Sequence, residues 1–95
     1  MTYLAVPPSP GRSAWRMRLF DLAEFHGWKA HLFGSDFEPD LICIRRPRIL
    51  WLFAEPDRGR LSSARYAAFS ELIACRQQAF VLHPSDEAKV MRLLE

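Results

Sequence analysis

The chain has 95 residues and a mass of 11.0 kDa, which is enough for one hydrophobic core and too little for two. Hydrophobic residues make up 49% and charged residues 25% of the sequence, proportions that exclude intrinsic disorder as the main state. The longest apolar run, residues 49–54, is far shorter than the roughly 20 residues that span a bilayer, and no signal-peptide pattern opens the chain. We therefore expect neither a membrane protein nor a secreted one, and a cytoplasmic location.

The cysteines and the basic residues narrow the chemistry further. Cys43 and Cys75 lie in apolar stretches without metal-ligand spacing, which predicts two reduced, buried thiols and leaves one disulfide as the alternative. The net charge is only +2, yet nearly all of the 13 basic residues are arginines. Because a guanidinium group binds phosphate and carboxylate oxygens in bidentate fashion, this bias permits nucleic-acid binding without requiring it.

The N-terminal half begins with a proline-rich opening, residues 1–12, which we expect to form a flexible arm because proline lacks a backbone N–H and fixes φ. Residues 13–95 are expected to form one domain. Ser13 is suited to cap a first helix, and Gly27 is suited to end it. Apolar residues recur on this helix at helical spacing, at Trp15, Leu19, Leu22 and Ala23.

Three strands follow in the predicted order. Alternating polarity over residues 28–33 indicates the first strand. Two apolar runs, 40–44 and 49–54, flank a turn over 45–48 and predict a hairpin. Because both runs are continuously hydrophobic, we expect both faces of the hairpin to be covered and Trp51 to lie in the core.

The C-terminal half predicts two helices and one more strand. Ser62 or Ser63 caps a helix that runs to about Arg76, followed by a strand over 79–82 and a closing helix over 85–94. The apolar stripe of the middle helix comprises Tyr66, Phe69 and Ile73. The order helix-strand-strand-strand-helix-strand-helix predicts an α/β domain with a mixed sheet and helices on both faces, because the last strand requires a crossover connection.

Acidic residues stand at the ends of the predicted hairpin strands. Asp40 begins the second strand, and Glu55 and Asp57 follow the third. Carboxylates at the tips of neighbouring strands can share a magnesium ion, which prefers oxygen ligands. Solvated acids at strand ends are the more common outcome of this pattern, so spacing alone leaves both interpretations open.

Five features occur in a distinctive order: Pro39-Asp40-Leu41-Ile42, a hairpin, Arg58-Gly59-Arg60-Leu61-Ser62, a helix, and Val81-Leu82-His83-Pro84-Ser85-Asp86. Gly27-Trp28, after the first helix, fits the same pattern. In this order they resemble the VRR-NUC branch of the PD-(D/E)XK nucleases, whose small phage members are similar to Holliday-junction resolvases. The resemblance covers about residues 13–94. It implies the PD-(D/E)XK nuclease fold, a magnesium cofactor, structured or branched DNA as the target, and a possible homodimer.

The resemblance also implies a catalytic set: an aspartate after proline, a glutamate and a lysine two residues apart on the next strand, and a glutamate on the first helix. Asp40 matches the aspartate. In an ungapped alignment the glutamate-lysine pair falls on Phe53 and Glu55, and the helix glutamate falls near Arg12. Phenylalanine cannot ligate a metal, and an arginine near the site would compete with a cation. This alignment predicts a degenerate site that does not cleave.

A second alignment shifts the third strand by two residues and places Glu55 and Asp57 on the motif. A shift of two keeps the side-chain face, so Asp40, Glu55 and Asp57 would be the catalytic residues of a magnesium-dependent endonuclease, with Asp40 and Glu55 as metal ligands. Pro56 argues against this alignment, because proline between the two acids disfavours a paired strand.

The expected DNA surface consists of five arginines, namely Arg45, Arg46, Arg48, Arg58 and Arg60. We expect a catalytically degenerate nuclease-fold protein without a cofactor that binds structured DNA or modulates a DNA-processing partner. Two alternatives remain: an active magnesium-dependent endonuclease, and a protein-interaction module that does not bind DNA. A homodimer or a protein partner fits each of them, and a membrane partner fits none.

Overall fold

Three α-helices and a four-stranded sheet make up the computed structural model of the chain, which describes residues 10–34 and 38–95. In chain order the elements are α1 (Arg12–Phe25), β1 (Lys29–Leu32), β2 (Leu41–Arg45), β3 (Arg48–Ala54), α2 (Ser63–Ala74), β4 (Gln78–Leu82) and α3 (Glu87–Leu94), with a short 3-10 turn (Pro84–Asp86) before α3. The sheet order is β1-β2-β3-β4; the first three strands are antiparallel neighbours, and β4 runs parallel to β3. The predicted α/β class with a mixed sheet is confirmed. No helix in the described ranges is long and apolar enough to cross a membrane.

The prediction for the C-terminal end of α1 is confirmed, whereas the predicted N-terminal cap is wrong. Gly27 follows the helix with φ at 82°, and its N–H donates to the Glu24 carbonyl oxygen over 3.0 Å. A left-handed residue at this position favours glycine, as the sequence predicted. At the other end Gly11, not Ser13, is the cap residue, so the helix already includes Arg12. Most of the predicted arm, residues 1–9, lies outside the described residues.

The core lies between one face of the sheet and the helices α1 and α3. Buried apolar side chains from β2, β3 and both helices form it, among them Leu19, Leu41, Leu50, Leu52 and Val90. Two buried tryptophans fix the helices to the strands through their indole N–H groups. Trp15 donates to the carbonyl oxygen of Leu82 and Trp28 to that of Leu94, each over 2.8 Å. Each indole thereby buries a large apolar ring without leaving its polar atom unsatisfied.

The opposite face of the sheet is only partly covered, by α2. Successive strand residues point to opposite faces, so Phe53 lies on the face away from Leu52, and its ring meets that of Phe69 edge to face at 5.6 Å. Farther along β3, Trp51 is half-buried and donates to Gln77 Oε1 over 3.1 Å, and Ile49 is 41% exposed. The prediction that both hairpin faces are covered, with Trp51 in the core, is therefore wrong for this part.

Two of the three residues in the predicted apolar stripe of helix α2 are exposed to solvent. Tyr66 is 61% and Ile73 is 47% exposed, whereas Phe69 lies on the sheet. Cys75, which follows the helix, is exposed, and both cysteines are free thiols. The prediction of two buried thiols thus holds for Cys43 alone, because α2 touches the sheet along a narrower line than its apolar residues suggest.

The β2–β3 hairpin separates two ends of the sheet that matter for function. Asp40 directly precedes β2 and Glu55 directly follows β3, so both lie at one end, which we call the carboxylate end. The turn at Arg46 and Pro47 lies at the other, the hairpin end. Strand β3 has seven residues, so about 20 Å separate the two ends at roughly 3.3 Å per residue.

Candidate functional site

The carboxylate end holds three buried charged side chains in direct contact. Asp40 is 1%, Glu55 5% and Arg65 4% exposed. Arg65 Nη1 donates to Glu55 Oε1, and Nη2 of the same group donates to Asp40 Oδ2. One planar guanidinium group therefore bridges the two carboxylates, a geometry that the fork of arginine donors permits and that an ammonium group does not.

Backbone hydrogen bonds fix the members of this bridge. The N–H of Asp40 donates to the Leu52 carbonyl oxygen over 2.9 Å, and its Oδ2 accepts from the N–H of Ala54 over 2.7 Å. Ser62, one of the two serines predicted as the cap, caps α2 by accepting from the N–H of Arg65 over 3.3 Å. The cap starts the helix so that Arg65 lies in its first turn, over the end of β3.

Two arginines of α1 complete the cluster. Arg12 Nη2 donates to Asp40 Oδ1 over 2.7 Å, and Arg16 Nε lies 3.7 Å from the same oxygen. Their side chains are 34% and 28% exposed, so both reach the surface. Three guanidinium groups thus face the carboxylates of Asp40 and Glu55 within the described part of the chain.

These carboxylates do not fit a magnesium ion. Magnesium requires oxygen ligands at close to octahedral positions about 2.0–2.1 Å from the metal. Both oxygens of Asp40 already accept from arginines, and Oε1 of Glu55 accepts from Arg65. The guanidinium carbon and its nitrogens lie between the two acids, where a shared cation would have to sit. Within residues 10–34 and 38–95, no group of three or more His, Cys, Asp or Glu side chains is arranged to hold a metal.

Asp57 serves a different contact. It lies in the loop after β3, and its Oδ1 accepts from the N–H of Ser85 over 2.8 Å. The structure brings Asp40 and Glu55 together through Arg65, and it uses Asp57 to hold the turn that leads into α3. The described residues therefore do not form the three-carboxylate arrangement of the second alignment.

The loop between β3 and α2 carries the predicted arginines of this end. The N–H of Gly59 donates to the Pro56 carbonyl oxygen over 2.8 Å, which closes a tight turn. A Cβ atom at position 59 would lie 2.7 Å from the proline ring and 2.9 Å from Glu55 Oε2. Glycine thus allows the loop to pass directly over the glutamate, and the flanking Arg58 and Arg60 are exposed beside the cluster.

The hairpin end uses its arginines differently. Arg45 donates from Nη1 to the carbonyl oxygens of His26 and Leu94, over 2.9 and 3.1 Å, and from Nη2 to that of Glu95 over 2.6 Å. Its guanidinium carbon also lies 4.4 Å from the centre of the Trp28 ring. Arg45 therefore satisfies backbone oxygens at the C-terminal ends of α1 and α3, which have no partner inside their helices.

Of the two other arginines in the hairpin, Arg48 has intramolecular contacts and Arg46 is exposed. Arg48 lies over the Trp28 ring at 5.3 Å and donates to Gln78 Oε1 over 3.2 Å. Arg46, in the turn, is exposed. The five arginines that the sequence grouped into one DNA surface are thus divided between two ends of the sheet, and two of them have intramolecular partners.

Sequence reasoning missed Arg65 and Arg16 as members of the site. A signal for Arg65 was present, because it shares a helix face with Phe69 and Leu72 at spacings of four and seven residues. Phe69 contacts β3, so a charge on that face is buried and needs a partner. For Arg12, the expected competitor of a cation, the structure provides the contact with Asp40 itself.

Comparison of the chain with protein-family models, with curated proteins and with solved structures found no match.

Proposed function

We propose that the protein binds DNA through the phosphate backbone at the carboxylate end and does not cleave it. The observation that carries this proposal is the bridge from Arg65 to Asp40 and Glu55. In the nuclease family that the sequence resembles, the aspartate that Asp40 matches binds a metal ion. Here a permanent internal cation takes that position, so the site supplies positive charge without metal chemistry.

The arginines at this end support a phosphate partner. Arg12 and Arg16 are partly exposed and bring guanidinium groups of the cluster to the surface. The exposed Arg58 and Arg60 extend the positive surface along the adjacent loop. Arginine forks bind phosphate oxygens without reading base sequence, so we expect affinity for DNA shape and charge rather than for a sequence.

The same bridge opposes catalysis. A divalent cation between Asp40 and Glu55 would have to displace the guanidinium of Arg65, which is 4% exposed. The displaced charge would remain buried without its carboxylate partners, at a cost of about 3–5 kcal/mol. A water activated by a metal at this position is therefore not part of the proposed function.

Binding is tested by fluorescence anisotropy with a labelled four-way junction and a linear duplex over a series of salt concentrations. Replacing Arg58 and Arg60 together by glutamine removes two phosphate contacts and should reduce the slope of log affinity against log salt by up to about two units. The matched control replaces two exposed arginines at the far end of the sheet, Arg46→Gln with Arg76→Gln. This control has the same net charge and should retain the slope of the unmodified protein.

Three results would contradict the proposal. Equal slopes for both double variants would mean that the carboxylate end is not the DNA surface. No binding at low salt would favour the interaction module. Cleavage of either DNA in magnesium or manganese that disappears in Asp40→Asn and in Glu55→Gln would establish the endonuclease alternative.

A further inference from the structure

The open edge of strand β4 has the features of a docking site for an extended peptide. Strand β4 is the last in the sheet order, and among the described residues it pairs with β3 alone. The Leu82 carbonyl oxygen accepts from the N–H of Glu55, so Leu82 directs its backbone groups toward β3. Because this direction alternates along a strand, Ala79 and Val81 direct their N–H and C=O groups outward.

This edge lacks the usual protection against strand addition. Sheet edges are commonly blocked by charged side chains, by proline or by a bulge. Strand β4 reads Gln-Ala-Phe-Val-Leu and contains none of these residues, whereas the opposite edge strand, β1, begins with Lys29 and includes His31. The two edges of one sheet therefore differ, and only β4 offers an uncharged row of backbone donors and acceptors.

A groove of about 590 Å³ runs beside this edge, between β4 and α3. Phe80 and Leu93 supply apolar surface in it, and three basic residues, Arg48, Lys89 and Arg92, line it together with one acid, Asp86. Lys89 lies 4.0 Å from Asp86, which leaves a net positive lining. A strand added to β4 would lie in this groove and place every second side chain against it.

We propose that β4 binds an extended, acidic segment of a partner protein by strand addition. Backbone hydrogen bonds to Ala79 and Val81 would supply affinity, and the basic groove would select acidic over basic side chains. A second copy of the chain fits less well, because antiparallel pairing of two β4 edges around a two-fold axis brings Lys89 and Arg92 of both copies together on one face. Nucleic acid lacks the alternating donors and acceptors that pair with a strand edge.

This surface goes beyond the proposed DNA-binding function, since none of the carboxylate-end arginines lines the groove. The test uses a labelled peptide of sequence Glu-Glu-Val-Val-Glu-Glu, in which either face presents one valine between two glutamates. The matched peptide has lysine at each glutamate position. We expect the acidic peptide to bind at least about tenfold more tightly than the basic one.

Two variants locate the binding on β4. Val81→Pro removes one outward N–H that β3 does not use, and it should weaken acidic-peptide binding about tenfold or more. Because proline can disturb the strand, the second variant reverses two exposed groove charges, Lys89→Glu with Arg92→Glu, and should abolish the preference for the acidic peptide. Both variants should retain the salt slope of DNA binding, and Arg58→Gln with Arg60→Gln should retain peptide binding.

Amide hydrogen exchange gives the direct readout. In the unmodified protein the acidic peptide should slow exchange at Ala79 and Val81, the outward-facing amides of β4. Equal binding of both peptides, unchanged binding after the double charge reversal, or binding that leaves these two amides unprotected would each overturn the proposal. Failure of DNA binding would not, because the two assays use different surfaces and different variants.

Discussion

The two ends of the sheet both gather arginines, but they give them different partners. At the carboxylate end Arg65 lies buried between the charged groups of Asp40 and Glu55. At the hairpin end Arg45 donates to the neutral carbonyl oxygens of His26 and Leu94 and covers the face of Trp28. The number of arginines in a segment therefore says little about their role. The role depends on whether the groups around the guanidinium are charged, and on how far water is excluded.

The largest expected effect comes from removing the buried bridge. Arg65→Ala leaves Glu55 without its guanidinium partner, and it removes one of the arginines that face Asp40. Unfolding in urea should show a loss of about 3–5 kcal/mol in the free energy of unfolding at neutral pH. The compensated variant, Arg65→Leu with Glu55→Gln, should recover most of that loss, because position 55 is then neutral and Asp40 keeps its contacts with the arginines of α1. A loss below about 1 kcal/mol for the single variant would show that the cluster is solvated, like an ordinary surface.

Cys43, a buried thiol in β2, lies between the two ends and tests the effect of burial on the pKa of a single group. Burial, followed by the negative charge of Glu24, raises the pKa of Cys43 from 9.0 to about 12. Above pH 9 the unfolded chain loses this proton while the folded protein keeps it, so stability falls as pH rises toward 12. The contribution is up to about 1.4 kcal/mol per pH unit.

The measurement is the free energy of unfolding at several pH values from 8 upward. Cys43→Ala loses packing at every pH but should show a flatter alkaline decline than the unmodified protein. Cys75→Ala is the matched control, because it removes the exposed cysteine instead of the buried one. Parallel declines for Cys43→Ala and the unmodified protein would show that other groups cause the loss.

A smaller loss is expected at the hairpin end. Arg45→Ala removes three hydrogen bonds to carbonyl oxygens and one contact with the Trp28 ring. The carbonyl groups of His26 and Leu94 that lose a donor are neutral, so we expect a loss of about 2 kcal/mol in the free energy of unfolding, less than for Arg65→Ala. The salt slope of DNA binding should not change. Arg46→Ala, in the exposed turn, is the control and should change stability by less than about 0.5 kcal/mol.

The smallest effect is expected for an ion pair that water reaches. Arg18 Nη2 on α1 lies 2.6 Å from Glu87 Oε1 on α3, and the two side chains are 56% and 43% exposed. A double-mutant cycle with Arg18→Ala and Glu87→Ala should give a coupling energy of at most about 1 kcal/mol. A coupling as large as the loss for Arg65→Ala would break the rule that burial separates the two classes of arginine.

Local sequence patterns were sufficient to predict the strands and helices. A hydrophobic period of two predicted β1, short apolar runs predicted the other strands, and a period of about 3.6 residues predicted the helices. Gly27 marked the end of α1, and Ser62 or Ser63 marked the start of α2. These features depend on φ and ψ preferences and on side chains within one or two turns, which a short window contains. The α/β class followed from the crossover that β4 requires. The assignment to the PD-(D/E)XK nucleases stays a prediction.

The partners of the charged residues, and the faces of the sheet that are covered, depend on the tertiary structure. Arg65 meets Asp40 across 25 positions of sequence, and Arg45 meets the carbonyl oxygen of Leu94 across 49. The narrow contact of α2 left Trp51 half-buried against expectation. No local pattern encodes these outcomes, because each depends on how a helix settles on the sheet and which side chains it brings within hydrogen-bonding distance. Local preference fixes where a chain turns, whereas long-range packing fixes which charges meet.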